Sequence, residues 1–204
     1  MKPIKVFLCI ILLATVSFTN NAGITEAERK YAADLMVESR ENLLTKVKGL
    51  TPAQLAFKAD PASWSVAECV EHIAITEDGL FGWSQSALKT PADPSKRDSV
   101  KYRDDEVLKM ITDRSSKFQA QDGVRPTGKF TNLQAALNAF TTSRNKNIEY
   151  IKTTNDDLRN HYNDFPFGKL DAYQTIIFMT GHSNRHTAQI VEVMQNPNFP
   201  KAGK

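Results

Sequence analysis

At 204 residues the chain has room for one domain plus a targeting segment and can bury a sizeable core. Hydrophobic residues at 41% and charged residues at 24% are the proportions of an ordinary globular protein. The formal net charge is +3; setting aside Lys2 and Lys5 leaves 24 basic against 23 acidic residues, with no basic patch or charge block. The electrostatic footprint of a nucleic-acid binder is therefore missing.

Residues 1–22 read as an export signal. A short basic start, Met1 to Lys5, is followed by an apolar run of 13 residues from Val6 to Phe18 and then by small and polar residues to Gly23. The run falls short of the roughly 20 apolar residues that span a bilayer, so removal is expected and no stable membrane span is left. No clean small-x-small triplet ends at Ala22, so retention as an anchor stays open. Residues 23–204 then form the mature domain, and an exported, periplasmic or extracellular location is expected. With the signal removed, Cys69 is the one cysteine left, and an internal disulfide is excluded. Cys69 is either a soft metal ligand or a small buried hydrophobe.

The rest of the chain reads as helix, element by element. The first predicted helix runs from about Thr25 to Lys48 with an apolar stripe of Tyr31, Leu35, Met36, Leu43, Leu44 and Val47, and stops at Gly49 before Pro52. The second opens at a capping box, Ser65-x-x-Glu68, and carries Val66, Cys69, Val70, Ile73, Leu80 and Trp83 to about Leu88. A Pro-containing loop, Thr90 to Lys101, precedes a third helix from Asp104 to Gln121 with Val107, Leu108, Ile111 and Phe118 inward. The fourth starts at Thr131-x-x-Gln134 and reaches Lys152 through Leu133, Leu137, Phe140, Ile148 and Ile151. The last begins near Asp171-x-x-Gln174 and ends at Asn196-Pro197. No strand-type alternation is evident. Amphipathic helices of this length bury their stripes only against one another, so the fold class is all-α, a helical bundle with long connections.

The chemistry lies in the histidines. The chain has four, and His182 and His186 are four residues apart on the last helix, one above the other on a single face. His72 sits on the second helix. An imidazole on an apolar face must find a hydrogen-bond partner or a metal. Three of them would leave positions open on a divalent ion, the mark of a catalytic site, and such an ion brings the pKa of bound water to about 7. The plain alternative is a set of core histidines satisfied by carboxylates such as Glu71 or Asp78. Glu71 and Asp78 themselves read as solvated surface carboxylates. Gln189 is either an orienting partner of a metal ligand or a polar edge of its helix. His161, in a polar loop, reads as exposed unless that loop folds over the site. Trp64 and Trp83 read as packing aromatics, and Arg185 as a surface salt bridge in preference to an anion holder.

Three segments in order resemble the DinB/YfiT-like superfamily. Trp64-Ser65 leading to His72, the segment Phe167-Gly168-Lys169-Leu170, and His182-x-x-x-His186-x-x-Gln189-Ile190 look like that family's motif layout. The resemblance spans about Thr25 to Gln195. It implies a four-helix bundle of up-down-down-up type, a divalent transition metal (Zn, Ni, Fe or Mn) on His72, His182 and His186, and frequently a homodimer. It leaves the reaction open. An exported location, away from a cytosolic thiol pool, favours metal-activated water acting on a small-molecule substrate over thiol transfer. A metal- or ligand-binding module without catalysis is a further alternative.

Overall fold

The computed structural model describes residues 23–116 and 118–201; the export segment lies outside the described residues. Four long helices carry the fold: α1 (Glu26–Val47), α3 (Val66–Ala87), α5 (Leu133–Thr153) and α6 (Ala172–Met194). Two shorter ones, α2 (Pro52–Ala56) and α4 (Asp104–Thr112), lie in the connections, and a two-stranded antiparallel hairpin of β1 (Tyr162–Phe165) and β2 (Gly168–Asp171) precedes α6. Among the described residues no helix is long and apolar enough to cross a membrane.

Local chemistry sets the helix starts. Thr25, Ser65 and Asp171 each accept a hydrogen bond from the backbone N–H three residues on, and the side chains of Glu28, Glu68 and Gln174 accept from the backbone N–H of the cap. Each reciprocal pair satisfies two orphan donors of a first turn. The box at Ser65 is the one read from the sequence, and Asp171 is the start expected for the last helix. The box expected at Thr131-x-x-Gln134 is corrected: α5 is capped by Asn132, whose side chain accepts from Ala135 N at 2.9 Å. Gly49, at φ 74°, stops the chain after α1 in a conformation that glycine adopts without a Cβ penalty.

The helix directions follow from which ends share a core. One apolar cluster joins Ala32 and Met36 near the start of α1, Ala87 at the end of α3, Ile148 and Ile151 near the end of α5, and Tyr173 and Ile176 at the start of α6. The other joins Leu43 and Val47, Val66 and Cys69, Ala136 and Leu137, and Ile190 and Val193, the opposite ends of the same helices. So α1 and α6 run one way and α3 and α5 the other, which is the up-down-down-up order. The step from α3 to parallel α5 must return along the bundle, and the segment containing α4 does so, packed on α6.

Four expectations fail. The chain is not helical throughout, because the hairpin pairs Tyr162 with Asp171 and Phe165 with Gly168. Its strands are four residues long and carry no Val, Ile or Thr, so period-2 alternation had nothing to show. The third helix stops at Thr112, not Gln121: Asp113 accepts from the N–H and hydroxyl of Ser115, a local turn that competes with helix. Phe118, expected inward, is 77% exposed. Tyr31, placed in the apolar stripe of α1, is 41% exposed.

Candidate metal centre

His72 enters from α3, about two turns beyond the Ser65 cap, and His182 and His186 from one face of α6. Their Nε2 atoms converge. His182 Nε2 lies 3.3 Å from that of His72 and 3.2 Å from that of His186, and the cluster's ligand atoms all fall within 4.8 Å of one another. His72 and His186 are buried and His182 partly so.

What lies behind each ring decides the character of the cluster. His72 Nδ1 is 2.7 Å from the carbonyl of Val124, and His186 Nδ1 is 2.9 Å from Gln189 Oε1. Both oxygens only accept, so both Nδ1 atoms carry the proton. Thr76 donates its hydroxyl to the His72 carbonyl at 2.8 Å, which leaves Thr76 Oγ1 to accept from His182 Nδ1 at 3.4 Å. All three Nε2 lone pairs then face each other with no proton between them. Burial holds the His182 imidazole far below its ordinary pKa, and the neighbouring His186 and His72 add to this. Burial likewise lowers His72, against the Val124 bond, and takes His186 down to about 3, with His72 adding and Gln189 opposing. Protonation therefore does not relieve the cluster at neutral pH.

Three converging acceptors, two buried and one partly so, are a donor set for a cation. For a metal about 2.05 Å from each nitrogen, tetrahedral geometry separates ligand atoms by about 3.3 Å, the spacing His182 keeps to each of the other two. The residues present fit a divalent transition metal with further positions left over.

The surroundings revise several expectations. Glu71 is no solvated carboxylate: it is buried and accepts from the N–H groups of Thr127, Gly128 and Lys129 at 2.9, 3.2 and 2.8 Å. It thus ties down the loop whose Val124 carbonyl holds His72. Asp78 is exposed, and neither carboxylate serves as a partner of the histidines. Trp64 stacks on His186 at 5.8 Å and sits 4.8 Å from the ring of His72, a wall of the cluster. Cys69 turns into the core, where burial raises its thiol to about 12, so it does not join the donor set. Arg185 is not a surface ion pair. It is buried and donates to the carbonyls of Ile111, Asp113 and Ser116, closing the C-terminal end of α4 onto α6. His161, expected exposed, is buried and bonds to the Ala87 carbonyl at 3.1 Å. It sits beside the end of α3, about 22 Å along that helix from His72, so it forms no lid over the cluster.

Sequence reasoning missed one layer altogether. Arg144 and Glu77, both fully buried, form a bidentate pair with two contacts of 2.7 Å. Arg144 also donates to Ser183 Oγ and to the Met36 carbonyl, and Asn147 donates to Glu77. Helical phase alone could have placed Glu77 and Arg144 on inward faces.

A four-helix bundle of up-down-down-up order with three histidines converging from two of its helices defines the class of protein. The sequence itself matches the DinB superfamily over residues 35–190, and the chain belongs to that family. Among solved structures it is similar to YfiT from Bacillus subtilis, with a TM-score of 0.59 at 14% identity, covering 87% of this chain and 91% of that one. YfiT is described as a probable metal-dependent hydrolase with an unusual four-helix bundle topology. No curated protein matches the sequence.

Proposed function

We propose that the protein is an exported metal-dependent enzyme in which His72, His182 and His186 hold one divalent transition metal (Zn, Ni, Fe or Mn) and a small-molecule substrate is hydrolysed beside them. The observation that carries this reading is the convergence of three Nε2 lone pairs whose Nδ1 protons are committed to Val124, Thr76 and Gln189. When bound, such an ion lowers the pKa of a coordinated water to about 7 and supplies hydroxide at neutral pH. The chain's own part is to fix each ring in the Nε2-facing tautomer and to keep the imidazoles neutral. Trp64 and the buried faces of α3 and α6 limit access of bulk water to one side. Three protein ligands leave room for water and substrate, which distinguishes a catalytic centre from a closed structural one. The basic and apolar character of residues 1–22 supports export.

The test is elemental analysis of the purified protein, without an affinity tag that binds metal, beside a His182→Ala/His186→Ala variant. About one equivalent of a single transition metal in the wild type, lost in the variant, is expected. Metal absent from both after reconstitution would overturn the reading. A metal-loaded protein inert towards ester, amide and phosphoester panels would remove the hydrolytic part alone.

A further inference from the structure

Two rows of residues lead from the histidines to the hairpin. On α3, His72, Thr76, Gly79 and Trp83 share one helix face at i, i+4, i+7 and i+11. On α6, His186, His182 and Phe178 share another, running the opposite way. The pairing of the two helices is pinned at two levels. Thr76 Oγ1 meets His182 Nδ1 at 3.4 Å, and Ser84 Oγ donates to the Ala172 carbonyl at 2.8 Å. Gly79 therefore falls level with Phe178. A Cβ placed on Gly79 would meet no atom within 4 Å, and Gly79 is exposed. The missing side chain leaves an open strip, a shallow trough, on α3 level with Phe178 and one turn along from Thr76, the partner of His182.

The far end of the trough is aromatic. The ring of Phe178 lies 6.5 Å from His182 at an interplanar angle of 24°, and 5.8 Å from Phe167 at 27°. Phe165 joins it at 4.8 Å, and Trp83 stands 4.3 Å from Phe165. Phe167, next to the hairpin turn, is 36% exposed, and Phe178 and Trp83 are partly exposed. A row of nearly parallel rings thus extends from one histidine to the surface. Offset stacking on such faces favours another flat ring, and neither row carries a charged side chain to pair with an ionic group.

We propose that this trough selects the substrate: a small neutral molecule bearing an aromatic group beside its hydrolysable bond, held with that group against Phe178 and Phe167. This rests on the metal reading above and names the substrate class for that same site. Gly79, Phe178 and Phe167 are specificity residues, and none of them performs the reaction.

The experiment is calorimetric titration of the metal-loaded protein with acetohydroxamic acid and with benzohydroxamic acid, which share a metal-chelating head and differ in the aryl group. The aryl compound should bind at least tenfold more tightly. In Gly79→Leu, which fills the trough, and in Phe167→Ala, at an exposed position, that advantage should fall below about threefold. Metal content and acetohydroxamate affinity should stay as in the wild type. Equal affinities in the wild type, or an advantage that survives both substitutions, would overturn the aromatic specificity and leave the metal centre standing. Failure of both compounds to bind, with no metal retained, would remove the centre and the specificity together.

Discussion

One helical turn separates two polar layers in this bundle, and they are built on opposite terms. The deeper layer, Glu77 with Arg144, Asn147 and Ser183, matches donors to acceptors: the carboxylate receives three hydrogen bonds and the guanidinium gives four. The upper layer uses the adjacent residues, Thr76 and His182, and sets three acceptors against one another. Burial is common to both, so burial does not distinguish structure from site. What distinguishes them is whether the polar groups complete each other. A network closed on itself needs no visitor, whereas converging lone pairs with outward-committed protons leave a place for a cation.

The sharpest way to break this contrast is to open the closed layer. Arg144→Ala strands the Glu77 carboxylate among buried neighbours, and a loss of about 3–5 kcal/mol is expected in urea unfolding. The double change Glu77→Leu/Arg144→Met removes both charges with similar volume and should recover most of it. A single variant as stable as the wild type would show that the pair is not the bolt of the bundle.

How far these layers were legible in the sequence follows the same line. His182 and His186 stand out because two scarce residues at i, i+4 need no tertiary information, and the Ser65 and Asp171 caps are equally local. The Glu77–Arg144 pair links residues 67 apart; helical phase places each on an inward face, but that they meet shows only when the helices are docked. Glu71 and Arg185 were misread for that reason too: each is satisfied by backbone groups of a distant loop, a partner that side-chain patterns do not reveal. The hairpin escaped because its side chains are tied by long-range contacts, Asn163 to Trp83 and Thr175, and not by strand propensity.

Acid should separate the layers without any substitution. The three imidazoles have folded pKa values lowered from 6.5, that of His186 to about 3, so below pH 6.5 the unfolded chain takes up protons that the folded chain refuses. Their contribution to stability is full above 6.5 and is lost as pH falls towards the folded values. Metal-free protein should lose stability from pH 6.5 to 5, with a limiting slope of about 1.4 kcal/mol per pH unit for each histidine. Glu28 is not yet titrating in that window: burial raises it, but its bonds from Thr25 and Arg159 bring the net pKa below 4.5. Replacing the three histidines by Asn should flatten the slope. A slope unchanged by that replacement would show that other groups carry the acid sensitivity.

The smallest expected effect tests whether the protons behind the rings matter. Gln189 lies one turn after His186 on the same face and accepts its Nδ1–H at 2.9 Å; it touches neither of the other histidines in the described network. Gln189→Leu keeps the helix and much of the volume but removes the acceptor, freeing the ring to rotate or to place its proton on Nε2. A proton there would point into the cluster and oppose a cation. Metal affinity should fall about 10–100-fold, as measured by competition with a chromophoric chelator, while the urea midpoint of the metal-free protein stays near the wild type. Gln189→Glu supplies a stronger acceptor at the same place and should retain or raise the affinity. If Leu and Glu at this position bind metal alike, His186 is oriented by its packing against Trp64 and His72, and the outer hydrogen bond is incidental to the contrast between the layers.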